Sequence, residues 1–179
     1  MIKSSDVESR LEVLEAGVLQ AVSTREEADI LPLQDEDNGL YARLGFVAHS
    51  LGYRVEDNDE LTGEILRDGR RGLRKQFAMG WILMVKQGSP LQMTATLAHE
   101  LGHHYTPDIY DEETLALSET VADGTAYVVC DHAGLDISPQ VFPYIAGYNE
   151  GVFTDRMRTG IVTASADLLT RLEATHPVA

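Results

Sequence analysis

At 179 residues, with 44% hydrophobic and 24% charged side chains, the chain is long enough for one domain with a full core and is neither disordered nor fibrous. A formal charge of −15 argues against direct binding to a nucleic-acid backbone, and no stretch approaches the twenty or so apolar residues of a membrane span. A single cysteine, Cys130, rules out an internal disulfide, and Met1–Asp6 lacks the apolar core of a signal peptide, so a cytoplasmic location is expected.

The first element is a helix. Ser5-Asp6-Val7-Glu8 has the form of a capping box, and Val7, Leu11, Leu14 and Val18 follow at helical spacing to about Val22. Residues 23–37, acidic and interrupted by Pro32, read as a connector, so 1–37 stand as an N-terminal helix plus acidic connector and 38–179 as the main domain. A second helix is expected from Gly39 to Ser50 on the stripe Leu40, Leu44, Val47 and Leu51, ended by Gly52. Tyr53-Arg54-Val55 is a short strand candidate. The acidic runs Glu26–Asp29, Asp35–Asp37 and Glu56–Glu60 read as solvated loops.

Gly63–Gly72 reads as loop or weak strand. The cationic run Arg67 to Lys75 suits a charged hairpin edge, with an acidic-substrate or nucleic-acid contact as the alternative. Phe77–Val85 is the best strand, apolar on both faces and bounded by Gly88-Ser89-Pro90. Helices follow at Ser89 onward, at Glu112–Asp131 closed by Gly134, at Ser138–Tyr148 and at Asp155–Ala174 on the stripe Met157, Ile161, Ser165, Leu168 and Leu172. Cys130 lies in the apolar stretch Ala126–Cys130 and reads as a buried structural thiol. The expected class is α+β: a small twisted sheet, antiparallel in part, packed on the helix that starts at Ser89.

That helix carries His99-Glu100-Leu101-Gly102-His103. Its start is marked by an N-cap serine and an N1 proline, Ser89-Pro90, and the stripe Leu91, Ala95, Leu97 or Ala98, Leu101 and Tyr105 buries it. Four residues apart on a helix, the two histidines share a face and can bind one Zn²⁺. A buried histidine pair without a partner would be costly, so a metal accounts for both burial and spacing. Glu100 sits beside that face as a candidate general base toward metal-activated water. Two histidines and one carboxylate leave a coordination position to water, the mark of a catalytic site rather than a structural one.

Sixteen residues past His103 comes Glu119-Thr120-Val121-Ala122-Asp123 on the next helix. Ala122 and Ala126 on the Glu119 face allow close approach to the metal helix, so Glu119 is the expected third ligand. His104, Asp123 and His132 are the alternatives. Asp123, one turn beyond Glu119, is placed to accept the second N–H of a ligand histidine. Ile109 stands where a metzincin would carry its third histidine. Candidates to stabilise an oxyanion are Tyr105, His104, Tyr127, His132 and Tyr148. His49 and His176 have no motif partner.

Thr96–His104 followed by Ser118–Ala126 resembles the ImmA/IrrE-type zincin-like metallopeptidases. Phe142–Tyr148 and the later Ala166-Asp167-Leu168-Leu169 are similar to the C-terminal metallopeptidase domain of ArdC-type antirestriction proteins, a likeness covering roughly residues 75–172. The resemblance implies a zincin fold, a zinc ion with Glu119 as third ligand, and an origin on phages, plasmids or other mobile elements. Residues 1–74 lack the basic, aromatic single-stranded-DNA platform that ArdC proteins carry, and the E-x-x-A-D block is also similar to that of gluzincins. The expected activity is hydrolysis of peptide bonds in a protein or peptide substrate, with narrow specificity. The alternative is an antirestriction or regulatory protein that acts by partner binding, its negative surface facing a nuclease or repressor and its zinc structural or vestigial.

Overall fold

The structure, a computed structural model, describes residues 4–24, 33, 35–58, 80–85, 89–106 and 111–175. Its helices are α1 (Ser4–Thr24), α2 (Leu40–Ser50), α3 (Pro90–Gly102), α4 (Glu112–His132), α5 (Ser138–Asn149) and α6 (Asp155–Ala174), with strands β1 (Tyr53–Asn58) and β2 (Gly80–Val85) between α2 and α3. A 3₁₀ turn, His103–Tyr105, follows α3 directly.

The α+β expectation does not hold. Among the described residues the fold is mostly helical, and its strands form only the pair β1–β2. That pair is parallel, with Tyr53 opposite Gly80 and Asn58 opposite Val85, where a sheet antiparallel in part was expected. Residues 59–79 between them supply the length that a parallel connection requires. The backbone of Glu56-Asp57-Asn58, read as part of a solvated loop, instead extends β1. Phe77–Met79, Gly63–Gly72 and the cationic run from Arg67 to Lys75 lie outside the described residues.

α4 organises the rest. Its residues from Leu117 to Cys130 are buried almost without interruption, so it has no solvent stripe over that length and neighbours surround it. Those neighbours are α1, α3, α5 and α6. Small residues set the spacing: a Cβ on Gly124 would lie 2.6 Å from Ile161 of α6, and one on Gly160 would lie 2.7 Å from Val121 of α4. The α1 stripe (Val7, Leu11, Leu14 and Val18) enters the same core as Ile145 of α5 and Leu168 of α6. Each such leucine or isoleucine contributes about 1.5–3 kcal/mol by leaving water.

The caps follow local chemistry, with two corrections. α1 already starts at Ser4, whose hydroxyl donates to Glu8 Oε1 at 3.1 Å, so Ser5 lies inside the helix and is not its cap. The carboxylate Asp37, read as part of a solvated run, accepts from the backbone N–H groups of Gly39 (3.1 Å) and Tyr41 (2.8 Å) and from Thr94 Oγ1 (3.2 Å). Burial pushes its pKa up, but these hydrogen bonds outweigh that and hold it below the usual carboxylate value. Leu91 N–H also donates to the Asp35 carbonyl at 3.0 Å, so the connector is tied to the start of α3.

Candidate metal centre

α3 begins as its sequence requires: Pro90 occupies the first turn and Ser89 Oγ accepts from Gln92 N–H at 3.1 Å. Its buried face includes Leu91, Ala95, Leu97, Ala98 and Leu101. α4 begins with a reciprocal cap that the sequence reading missed, Asp111 with Thr114. The two helices converge at Gly102, where an added Cβ would lie 2.7 Å from the Ala122 Cα.

This approach brings His99, His103 and Glu119 together, with one donor atom from each inside 4.8 Å of the others. His99 Nε2 and His103 Nε2 are 3.0 Å apart. Glu119 Oε2 lies 3.5 Å from His99 Nε2, and Oε1 lies 3.8 Å from His103 Nε2. Tetrahedral zinc with ligand bonds of 2.0–2.1 Å would set its donors about 3.3 Å apart. The observed separations bracket that value, so the group can hold a metal ion. Among the described residues three donors converge, which leaves a fourth position for an exchangeable ligand.

The far nitrogens are also engaged. His99 Nδ1–H donates to Asp123 Oδ1 at 2.7 Å. His103 Nδ1 lies 3.1 Å from Ser118 Oγ. Glu100 is buried, 6% exposed, beside His99 on α3.

Burial disfavours the charged form of His99, but Asp123, then Glu100 and Glu119, outweigh it and raise the pKa from 6.5 to about 9. In the metal-free protein this imidazolium is stabilising below about pH 6.5, and the contribution is lost as pH rises through about 9. Metal-free protein is therefore expected to lose stability between pH 6.5 and 9, and Asp123→Asn to flatten the decline. Urea unfolding in the presence of chelator at the two pH values measures this; an unchanged slope in the variant would remove Asp123 as the cause.

Of the oxyanion candidates, only His104 and Tyr105 lie in the turn next to His103. Tyr53 Oη lies 2.7 Å from His104 Nδ1, and the Tyr105 hydroxyl donates to Asp167 Oδ2 at 2.5 Å. Burial and the Asp167 carboxylate push Tyr105 far above its ordinary pKa, so it remains a phenol committed to α6. Tyr127 lies about 12 Å and His132 about 20 Å along α4 from Glu119 at the helical rise. Tyr127 instead packs on Phe142, its ring centroid 5.2 Å away, and His132 is exposed at the end of α4. Tyr148 sits exposed near the end of α5, and His49 is exposed on α2. Cys130 is fully buried, its thiol pushed up to about 12 by burial.

Ser118, Thr106, Tyr53 and Asp167 were not found from the sequence. Only Ser118 carried a signal there, a small polar residue immediately before Glu119. Among the described residues no helix is long and apolar enough to cross a membrane. No known protein family, curated protein or solved structure matches the chain.

Proposed function

We propose that this protein is a zinc-dependent peptidase of narrow specificity, with His99, His103 and Glu119 as the metal ligands and Glu100 as general base. The observation that carries the reading is the convergence, among the described residues, of three donors beside a buried carboxylate. The likeness of the two motif blocks to ImmA/IrrE-type and ArdC-type metallopeptidases supports it, and the single cysteine, Cys130, fits a reducing compartment such as the cytoplasm. When bound, zinc supplies Lewis acidity, which acidifies water and polarises a carbonyl.

The chain's own groups do the rest. Asp123 and Ser118 orient the two imidazoles. The Glu100 carboxylate takes the proton of the attacking water and delivers it to the amide nitrogen that leaves. Its burial keeps competing solvent from that proton.

The test compares zinc-loaded wild type with Glu100→Gln on a peptide library read by mass spectrometry. The wild type should cut a restricted set of sequences. The variant should keep its zinc and lose about 10²–10⁴-fold in rate, the usual range for a missing general base. Equal cleavage by both proteins would remove Glu100 from the mechanism. Cleavage by neither would move the assignment to the partner-binding, antirestriction-type reading.

A further inference from the structure

The orientation of His103 follows from counting protons outward from its ring. Thr106 Oγ1 lies 3.1 Å from the carbonyl oxygen of His103, which can only accept, so Thr106 donates its one proton there. Ser118 Oγ lies 2.8 Å from Thr106 Oγ1 and therefore donates to it. With its own proton committed, Ser118 Oγ can only accept from His103 Nδ1–H, 3.1 Å away. Ser118 is 0% exposed, so water cannot substitute for either partner.

We propose that Ser118 and Thr106 form a hydroxyl relay that fixes His103 as the Nδ1-protonated tautomer, leaving the Nε2 lone pair for the metal. The proposal rests on the reading of His103 as a ligand and adds two positioning residues to it. The Nε2 so freed is the atom 3.0 Å from His99 Nε2 and 3.8 Å from Glu119 Oε1. The two ligand histidines are thus held differently, His99 by a carboxylate and His103 by a neutral relay. Thr106 also closes the 3₁₀ turn, its backbone N–H donating to His103 O at 3.3 Å, so the relay joins the end of the metal helix to α4.

Two readouts test it: the ring tautomer of His103 by ¹⁵N NMR in chelator-treated protein at a pH where His99 is neutral, so that its Nε2, 3.0 Å away, accepts rather than donates, and zinc affinity by competition with a chromogenic chelator. Wild type and Thr106→Ser should both show the Nδ1–H tautomer and equal affinity. Ser118→Ala and Thr106→Val should both move the proton to Nε2 and weaken zinc about 10–100-fold. The double variant should be no weaker than Ser118→Ala, since both substitutions break one chain of hydrogen bonds.

Thr106→Val keeps the side-chain shape on a half-buried turn and guards against a Ser118→Ala protein that fails to fold. An Nε2–H tautomer in the wild type overturns the relay. So does a folded Thr106→Val with unchanged tautomer and affinity. A wild type with the Nδ1–H tautomer that binds no zinc supports the relay and overturns the metal reading instead.

Discussion

Replacing Gly102 by alanine should lower the melting temperature and weaken the metal centre together. Two effects oppose each other. Alanine is favoured over glycine in a helix by up to about 1 kcal/mol, less at this C-terminal position. Against that, the new Cβ would lie 2.7 Å from the Ala122 Cα and 3.1 Å from its carbonyl oxygen, backbone atoms that cannot rotate aside. Overpacking of this kind costs about 1–3 kcal/mol, which wins, and for a chain of this size lowers Tm by roughly 2–12 °C. To restore ordinary contact, α3 and α4 must part by several tenths of an ångström, a shift comparable with the roughly 0.5 Å tolerance of a working site. Glu119 is carried by α4, and His99 and His103 by α3 and the turn that continues it, so the ligand set opens along the same direction. Gly45 and Gly147 are internal controls: nothing lies within 4 Å of a Cβ at either, so alanine there should be neutral or mildly stabilising. Scanning calorimetry and zinc content on the three variants separate the cases. A Gly102→Ala protein as stable and as metal-replete as the controls would show that the helices have room to part at that contact.

This contact also marks where the sequence stopped being informative. The His99–His103 pair was legible because one helical turn relates them, and Asp123 because it lies one turn from Glu119. Both relations are local, fixed by 3.6 residues per turn once the caps are recognised. Glu119 needed one further step, the reading of Ala122 as permission for close approach, and that contact is present, with Gly102 as its other half. Ser118 carries no periodic signal, since its importance comes from facing a histidine on another helix. Thr106 acquires its role from a 3₁₀ turn where the apolar stripe predicted continuing helix through Tyr105. Tyr53 and Asp167 meet the turn after the metal helix, at His104 and Tyr105, from 51 and 62 residues away in sequence. The misjudged fold class has the same origin. The apolar run ending at Val85 expresses a local preference for extended backbone, but how many strands pair with it depends on distant segments. Here the apolar helix faces close around α4 and, among the described residues, the strands pair only with each other.

Removing the Glu119 carboxylate should have the largest effect on metal and a small effect on the fold. Its two oxygens face the two Nε2 atoms at 3.5 and 3.8 Å, so Glu119→Ala leaves a two-histidine site without the charge that offsets a divalent ion. Zinc should fall from about one per chain to a small fraction after dialysis against a metal-buffered chelator. The scaffold has reasons to survive: Asp123 still holds His99, Ser118 still holds His103, and alanine suits the middle of α4. Asp123→Ala provides the graded comparison. It keeps all three ligands and loses only the group orienting one of them, so affinity should drop about 10–100-fold and site occupancy should recover at high zinc. Elemental mass spectrometry and cobalt absorption spectra on both variants would order them. If Glu119→Ala bound zinc as tightly as wild type, a different residue would be the third ligand. If it lost zinc and secondary structure together, the carboxylate would be holding α3 against α4 as well as binding the ion. Loss of zinc with helicity intact, and without the recovery at high zinc expected of Asp123→Ala, would assign Glu119 to the metal, because an orienting group weakens the site while a ligand is part of it.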